Sequence, residues 1–206
     1  WLGRDIFEVS GSINSKANNV VQLQEQYRMH SSISCIPNNL FYEQHLIDKA
    51  KRTDDQISNW YDISWKYDAP VILIDTGPLN AWVTSVPRGR GSSRLNFLSA
   101  TLCIELCQRL LKDVKDEPVE GNKRRIIIEC PYRPHADLLN MMVGEYGLNQ
   151  VEAGTVHTFQ GSQSDVVILD LVNDDPHWKV KMFTPKDDDD TKRQINVAVT
   201  RARNRL

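Results

Sequence analysis

Three short apolar runs constrain the fold of this chain more than any other feature of its sequence. The runs are VILIDT at residues 71–76, RIIIEC at residues 125–130 and DVVILDLV at residues 165–172. Gly77 and Pro78 close the first run and Pro131 closes the second, so both have the length of strands rather than helices. Because apolar side chains would point to both faces of such strands, we predict a largely parallel sheet that is covered on both sides.

Helical patterns between these runs predict flanking helices. Leucines recur at helical spacing from Leu95 to Leu110, and we interpret them as a stripe that faces the core. Pro134 suits the first turn of another helix, which we expect to run to about Tyr146 and to stop at Gly147. Strands that alternate with helices predict an α/β fold, in which helices flank a mostly parallel sheet.

Three polar stretches, residues 50–69, 77–93 and 173–192, are predicted to be irregular. The last contains four consecutive aspartates, and a run of like charge usually forms a solvated loop. We therefore expect an acidic loop at residues 174–192 within one domain of residues 1–206. Because the first residue is Trp1 rather than methionine, we also expect this domain to be a fragment of a larger protein.

The composition limits the possible partners. With a formal net charge of −2 the chain is not a basic nucleic-acid-binding protein, so any such contact must come from a local patch. No apolar run is long enough to cross a membrane, and we expect no membrane partner. The four cysteines include no CxxC pair, so we predict no metal site. Four buried thiols in a reducing, intracellular compartment (cytoplasmic or nuclear) are the simplest interpretation.

Four short sequence blocks occur in a particular order along the chain. This order is more specific for a class of protein than any single block. They are QYRMH at residues 26–30, PYR at residues 131–133, TVHTFQGSQ at residues 155–163 and INVAVTRAR at residues 195–203. Together they resemble the motifs of superfamily 1 DNA and RNA helicases, in the branch that includes the nonsense-mediated-decay RNA helicase and senataxin. The resemblance extends from about residue 22 to residue 206 and includes SRLN at residues 93–96, which we expect to open a helix.

The resemblance implies the second, C-terminal RecA-like domain of a two-domain, ATP-dependent motor. Its fold is that of the P-loop NTPases, yet the chain contains no glycine-rich loop that ends in Lys-Ser or Lys-Thr. We therefore expect the phosphate loop and the Mg²⁺-binding aspartate in the first RecA-like domain of the same polypeptide, ahead of residue 1. That domain would hold most of ATP and Mg²⁺, while this chain would supply part of a single-strand nucleic-acid track and be inactive alone.

Two arginines carry the catalytic role that the resemblance implies. Arg201 matches the arginine finger of motif VI, and Arg28 matches a second arginine that reaches the same phosphate from motif IV. Phosphoryl transfer develops negative charge on the phosphate, and a guanidinium group stays charged and offers a planar set of donors. The alternative is that either arginine forms only a local ion pair.

Four further residues match positions that contact the nucleotide in the family: Tyr27, Gly161, Gln163 and Arg203. Tyr27 could instead be an aromatic residue packed at the domain edge, and Arg203 could be structural. Gln163 departs from the usual glutamate; it keeps an acceptor oxygen but loses the charge.

The nucleic-acid contacts that the resemblance implies come from two blocks. Thr155, His157 and Gln160 belong to motif V, where hydroxyl and amide groups can hold phosphates without reading the bases. Tyr132 and Arg133 could stack on a base or pair with a strand. Cys130 stands where a threonine is common, and His135 stands where a glutamine is common. The basic cluster Arg88, Arg90 and Arg94 could track a backbone or form a solvated loop.

Two other functions remain open at this point. A degenerate helicase domain could act as a non-catalytic module that binds nucleic acid or a protein, and Gln163 and Cys130 favour this alternative. A metal-dependent enzyme built on Asp75, Asp165 and Asp170 is a distant third, because these aspartates are explained more simply by strand ends.

Overall fold

The computed structural model describes residues 21, 23–51, 69–88, 91–112, 126–174 and 189–206. The helices are α1 (Ser31–Phe41), α2 (Phe97–Lys112), α3 (Arg133–Glu145) and α4 (Asp189–Val199), with a 3₁₀ turn at Gly77–Leu79. The strands are β1 (Glu25–Gln26), β2 (Ile47–Asp48), β3 (Val83–Arg88), β4 (Gly91–Asn96), β5 (Ile126–Cys130), β6 (Val151–Thr155), β7 (Ser164–Leu169) and β8 (Ala202–Arg205).

The main sheet is parallel and has the strand order β6-β5-β7-β8. Ile126 of β5 is in register with Val151 of β6 and with Val166 of β7, so β5 is paired on both edges. All five β5 residues are buried, as the continuous apolar run predicts. The predicted α/β class with a parallel sheet and flanking helices is confirmed.

The core lies on both faces of this sheet because alternate strand residues point to opposite sides. Ile126 and Ile128 pack with α2 and α3 in one cluster, which includes Cys103 and Leu139. Ile127 packs in a second cluster on the other face. Its partners come from the start of α1, the loop after β6, β7, the end of α4 and β8: Met29, Ile33, Phe159, Val167, Val199 and Ala202. The second face is the one on which the candidate site is built.

The first apolar run is not a buried strand, so that prediction was wrong. Leu73 is 92% exposed, and Ile74 is also exposed. Its described backbone hydrogen bonds to the sheet lie at the end of β8, where Ile72 N donates to the Leu206 carbonyl and Leu206 N donates to the Pro70 carbonyl. Two backbone hydrogen bonds at one end of an edge strand are too few to bury the whole run.

A hairpin occupies much of the stretch that was predicted to be irregular. Strands β3 and β4 pair antiparallel from Val83 opposite Asn96 to Arg88 opposite Gly91. The SRLN block ends β4 instead of opening a helix, and α2 begins directly after it at Phe97. Asn96 marks the boundary, because its Oδ1 accepts a hydrogen bond from Ser99 N at 3.1 Å and caps the helix.

The buried face of α2 is offset from the predicted leucine stripe. Its most buried residues are Ala100, Cys103, Ile104 and Cys107, with Leu110 at the end of the helix. Leu102 and Leu106 instead line a groove of about 460 Å³ between α2 and residues 72–76. Helix α3 agrees with the prediction, and Gly147 follows it with a φ of +63° that glycine adopts readily.

Other expectations fall partly or wholly outside the described residues. Arg90, residues 52–68 and residues 175–188 are not described, and α4 begins at Asp189, within the range expected for the acidic loop. Cys103, Cys107 and Cys130 are buried, but Cys35 is exposed, so the prediction of four buried thiols was wrong at that position. Among the described helices, none is long and apolar enough to cross a membrane.

Candidate functional site

Two segments from opposite ends of the chain meet where α1 begins and α4 ends. Arg28 Nη1 donates a hydrogen bond of 2.9 Å to the carbonyl of Thr200. Close by, His30 N donates to the carbonyl of Arg203 at 2.8 Å. The QYRMH block and the INVAVTRAR block, which are remote in sequence, therefore form one surface.

The side chain of Gln26 shapes the turn that presents Arg28. Its Oε1 accepts from Arg28 N at 2.9 Å and from Met29 N at 2.8 Å, while its Nε2 donates to the Met29 carbonyl at 2.9 Å. His30 then caps α1, because its Nδ1 accepts from Ser32 N at 3.2 Å. Gln26 and His30 are both buried, so the two ends of the block are fixed while Arg28 remains half-buried between them.

Arg201 is turned into the domain and is only 8% exposed. Its Nε donates to the Val197 carbonyl and its Nη1 donates to the Ser162 carbonyl, each at 2.9 Å. Burial lowers the pKa of Arg201, the nearby charge of Arg28 lowers it further, and Glu129 opposes both effects. Among the described residues the guanidinium is thus held by neutral carbonyl groups, with a second guanidinium beside it.

Glu129 is a member of this site that the sequence predictions missed. Its side chain is 0% exposed, and neither carboxylate oxygen has a hydrogen-bond partner among the described residues. Burial raises the pKa of Glu129 to about 8, although the charge of Arg201 acts to lower it. The available signal was a glutamate inside the apolar run RIIIEC, at a position that the strand pattern itself predicted to be buried.

The four residues matched to the nucleotide differ in exposure and in their contacts. Tyr27 is 66% exposed, and its Oη donates to Glu25 at 2.6 Å, a hydrogen bond that raises the pKa of Tyr27. Gly161 has a φ of +88°, and Gln163 is exposed next to it. Arg203 is half-buried, with its Nη1 3.8 Å from Asp165 Oδ1. Their roles toward a nucleotide stay predictions.

The loop after β6 presents the motif V residues. Thr155 Oγ1 lies 3.0 Å from Thr158 Oγ1, while His157 and Gln160 are exposed. Phe159 is buried and anchors the loop over Gly154, where an added Cβ would lie 2.9 Å from its ring. The absence of a side chain at Gly154 therefore lets the loop lie close against the sheet.

Tyr132 and Arg133 are engaged with neighbouring side chains. The Arg94 guanidinium lies 5.6 Å from the centroid of the Tyr132 ring, a cation–π distance. The Tyr132 hydroxyl is buried, with no hydrogen-bond partner among the described residues. Arg133 Nε donates to Asp137 Oδ1 at 2.8 Å on the exposed face of α3. Contact with a nucleic acid would require each residue to exchange these partners.

Cys130 and His135 belong to the opposite face of the sheet. Cys130 is buried, and its Sγ donates to the Gly154 carbonyl at 3.7 Å; burial raises its pKa to about 12. His135 Nδ1 accepts from Asn96 N at 3.3 Å, so its Nε2 carries a proton and donates to Asp170 Oδ2 at 2.8 Å. Neither side chain is available to a nucleic-acid backbone in this arrangement.

Asp170 is the centre of that second polar cluster. Burial acts to raise the pKa of Asp170, but the hydrogen bonds from His135, the Val172 N–H and Ser99 outweigh it, and the pKa is lowered. Cys103 Sγ also lies 3.6 Å from Asp170 Oδ2. No local sequence pattern indicated this pairing, because His135 and Asp170 are 35 positions apart.

The three aspartates considered as metal ligands each have a different partner. Asp75 Oδ1 accepts from Gly77 N at 2.9 Å, Asp165 faces Arg203, and Asp170 pairs with His135. Across the ranges that the structure describes, no group of three or more His, Cys, Asp or Glu side chains could hold a metal ion.

Comparison with known proteins agrees with the motif blocks. The family described as AAA domain matches residues 3–206. The regulator of nonsense transcripts 1 homolog of Arabidopsis thaliana is 26% identical over 208 residues, which cover 98% of this chain and 15% of that protein. The ATP-dependent helicase upf1 of Schizosaccharomyces pombe is 28% identical over 194 residues, which cover 90% of this chain and 19% of that protein.

A third relative is named as both a helicase and a nuclease. The DNA replication ATP-dependent helicase/nuclease DNA2 of Xenopus laevis is 28% identical over 207 residues, which cover 91% of this chain and 18% of that protein. This chain spans less than one fifth of the length of these relatives. The match over nearly all of the chain, together with the parallel sheet, confirms the resemblance that the four blocks predicted. The chain belongs to the AAA domain family that forms the C-terminal region of superfamily 1 helicases.

Proposed function

We propose that this chain is the C-terminal motor domain of an ATP-dependent helicase, in which Arg201 and Arg28 act as arginine fingers. The observation that carries the proposal is the meeting of the two motif segments, since Arg28 binds the carbonyl of the residue before Arg201. Among the described residues both groups bind carbonyl oxygens rather than carboxylates. Two positive charges in one place are suited to a highly charged anion such as a triphosphate.

Hydrolysis would take place between this domain and a preceding RecA-like domain. The preceding domain would hold most of ATP and Mg²⁺, and closure would bring Arg201 and Arg28 to the phosphate that departs. Guanidinium groups stabilise the negative charge of that transition state. Tyr27, which is largely exposed, would contact the nucleotide together with Gly161, Gln163 and Arg203. This chain alone would not hydrolyse ATP.

The strand contact is proposed mainly for the loop after β6. Thr155 ends β6, and His157 and Gln160 lie on the turn that follows, where both are exposed to a passing backbone. Ser162 of the same turn accepts the hydrogen bond from Arg201, so strand contact and finger position share one loop. Tyr132 and Arg133 would contact the strand only after Tyr132 breaks its contact with Arg94 and Arg133 breaks its hydrogen bond to Asp137.

The test is nucleic-acid-stimulated ATP hydrolysis by the full-length protein, with single-stranded DNA and single-stranded RNA in parallel. Arg201→Ala should lower kcat by roughly 10³-fold or more while nucleotide binding is kept. Arg109→Ala is the matched control, because Arg109 is an exposed arginine on α2 that pairs with Glu105. Normal turnover by Arg201→Ala would rule out the finger role.

One outcome would favour the alternative function. If the wild-type protein binds single strands tightly but hydrolyses no ATP, the domain is a non-catalytic binding module. Gln163 lacks the usual charge, and Cys130 is buried. These two residues would then be the first to change back to the usual glutamate and threonine.

A further inference from the structure

The β3–β4 hairpin and the turn before it form a segment with an excess of positive charge. Residues 77–97 contain three arginines, Arg88, Arg90 and Arg94, and no aspartate or glutamate, whereas the whole chain has a formal net charge of −2. A local basic segment on a chain that is not basic overall is typical of an element that contacts a nucleic-acid backbone. The charge of this segment therefore favours a polyanionic partner.

Two exposed aromatic side chains lie at the base of the hairpin. Val83 and Asn96 form the last pair of the β3–β4 ladder, and both are buried. Trp82 and Phe97 are the next residues beyond that pair, one on each side, and they are 70% and 61% exposed. Because successive residues of an extended strand point to opposite faces, the two rings are expected on the side away from the buried pair. Neighbouring exposed apolar side chains often mark an interaction site.

The hairpin is fixed to the rest of the domain on its inner side. The Arg94 guanidinium lies 5.6 Å from the centroid of the Tyr132 ring. Asn96 N donates to His135 Nδ1 at 3.3 Å, and Asn96 Nδ2 donates to the Val172 carbonyl at 3.1 Å. These contacts join the base of the hairpin to the first turn of α3 and to the segment after β7, so the aromatic pair is carried by an anchored element.

The hairpin lies at the edge of the sheet where strand contact is proposed. Cys130 at the end of β5 is in register with Thr155 at the end of β6, so the PYR block and the loop after β6 leave the same edge. Tyr132 of the PYR block is the residue on which Arg94 of the hairpin packs. The aromatic pair therefore adjoins the surface that the motif blocks form.

We propose that Trp82 and Phe97 form a platform on which bases stack, and that these bases belong to the same single strand whose phosphates the loop after β6 contacts. This inference rests on the proposed strand contact of the domain. Stacking on an aromatic ring accepts any base, because every base has a π face. The positive charge of the hairpin attracts the phosphates between the stacked bases. Trp82 and Phe97 can act without breaking any described side-chain contact, unlike Tyr132 and Arg133.

The first arm of the test measures strand affinity of the full-length protein without nucleotide, by fluorescence anisotropy of labelled oligothymidine and oligouridine. Trp82→Ala and Phe97→Ala should each weaken binding at least about fivefold. Trp82→Phe keeps a ring and should bind within about twofold of wild type. Tyr146→Ala is the matched control, because Tyr146 is an exposed aromatic residue at the other end of α3, and its affinity should equal that of wild type.

The second arm separates stacking from charge. An oligonucleotide of the same length that consists of abasic sites keeps the phosphates and lacks the bases. Wild type and Trp82→Ala should bind this abasic strand equally, since the ring has nothing to stack on. An equal loss for Trp82→Ala on the abasic and the base-bearing strand would overturn the platform. Thermal unfolding of each variant shows that the fold is kept.

The outcomes distinguish the platform from the strand contact on which it rests. Tight binding of oligothymidine or oligouridine by the wild type, with unchanged affinity in both Trp82→Ala and Phe97→Ala, would overturn the platform alone. The hairpin would then be a surface for an acidic protein partner, and the contact through the loop after β6 would stand. No binding of either strand by the wild type would refute the strand contact and the platform together.

Discussion

Arg28 donates a hydrogen bond to the carbonyl of Thr200 across 172 positions of sequence. That contact joins the turn before α1 to the turn after α4 and brings together the segments that carry Arg28 and Arg201. A second hydrogen bond, from His30 N to the Arg203 carbonyl at 2.8 Å, joins the same two ends of the chain.

Removal of the Arg28 guanidinium should impair hydrolysis without unfolding the domain. Arg28→Ala loses one donor to the transition state, and a reduction in kcat of roughly 10²–10³-fold is expected. Arg28→Lys keeps the charge but not the planar set of donors, so its kcat should lie between the wild type and Arg28→Ala. Steady-state ATPase assays of the full-length protein check this order; equal rates for Arg28→Ala and wild type would contradict it.

Glu129→Gln should change how stability depends on pH. The folded chain holds the Glu129 proton up to a pKa of about 8, whereas an unfolded glutamate loses it near pH 4.3. The unfolded state therefore binds fewer protons between these values, and wild-type stability falls as pH rises from about 4.3 to 8. Glu129→Gln should gain stability relative to wild type over that window. Urea unfolding of both proteins at pH 5, 7 and 9 measures the free energy of unfolding. The same difference between Glu129→Gln and wild type at every pH would contradict the prediction.

Asp170 should have the opposite pH dependence. Because hydrogen bonds lower its pKa in the folded state, its contribution is fully present above the unfolded pKa near 3.9 and is lost as pH falls through the folded value. Asp170→Ala leaves His135 Nε2 and Val172 N without their acceptor, and a loss of about 2–4 kcal/mol is expected at pH 7. Urea unfolding at pH 7 and pH 3 tests both statements; a cost that does not shrink at pH 3 would contradict them.

A methyl group at Gly154 should displace the loop that carries Thr155 and His157. The added Cβ would lie 2.9 Å from the Phe159 ring and 3.1 Å from Thr158 Cβ, so the loop must move. Gly154→Ala is expected to destabilise the domain by about 1–3 kcal/mol and to weaken single-strand binding.

Gly144→Ala is the matched control for this loop prediction. Gly144 lies in α3 and has nothing within 4 Å of an added Cβ, so alanine there should be neutral or stabilising by up to about 1 kcal/mol. Thermal unfolding and fluorescence anisotropy with a labelled oligonucleotide measure both effects. Equal strand affinity for the two variants would show that the loop position does not matter for binding.

The fold could be predicted from the sequence where the residue types in a run indicate whether that run is buried. The apolar residues 126–130 predicted a strand buried on both faces, and the position of Pro134 predicted the start of α3. The same reasoning failed for residues 71–76, because hydrophobicity alone does not tell whether a neighbour covers the strand. The β3–β4 hairpin was missed because its strands are rich in polar residues and it is held largely by backbone pairing.

The sequence by itself determined the α/β class, the family and the identity of Arg28 and Arg201 as candidate fingers, because these follow from local patterns and from the order of four motif blocks. Only the tertiary structure decided that Arg28 binds the carbonyl of Thr200, that Glu129 is buried without a hydrogen-bond partner among the described residues, and that Asp170 pairs with His135. The physical reason is that these relations join strands and turns far apart in sequence. A pKa or an unsatisfied carboxyl group arises from what surrounds a side chain in space rather than along the chain.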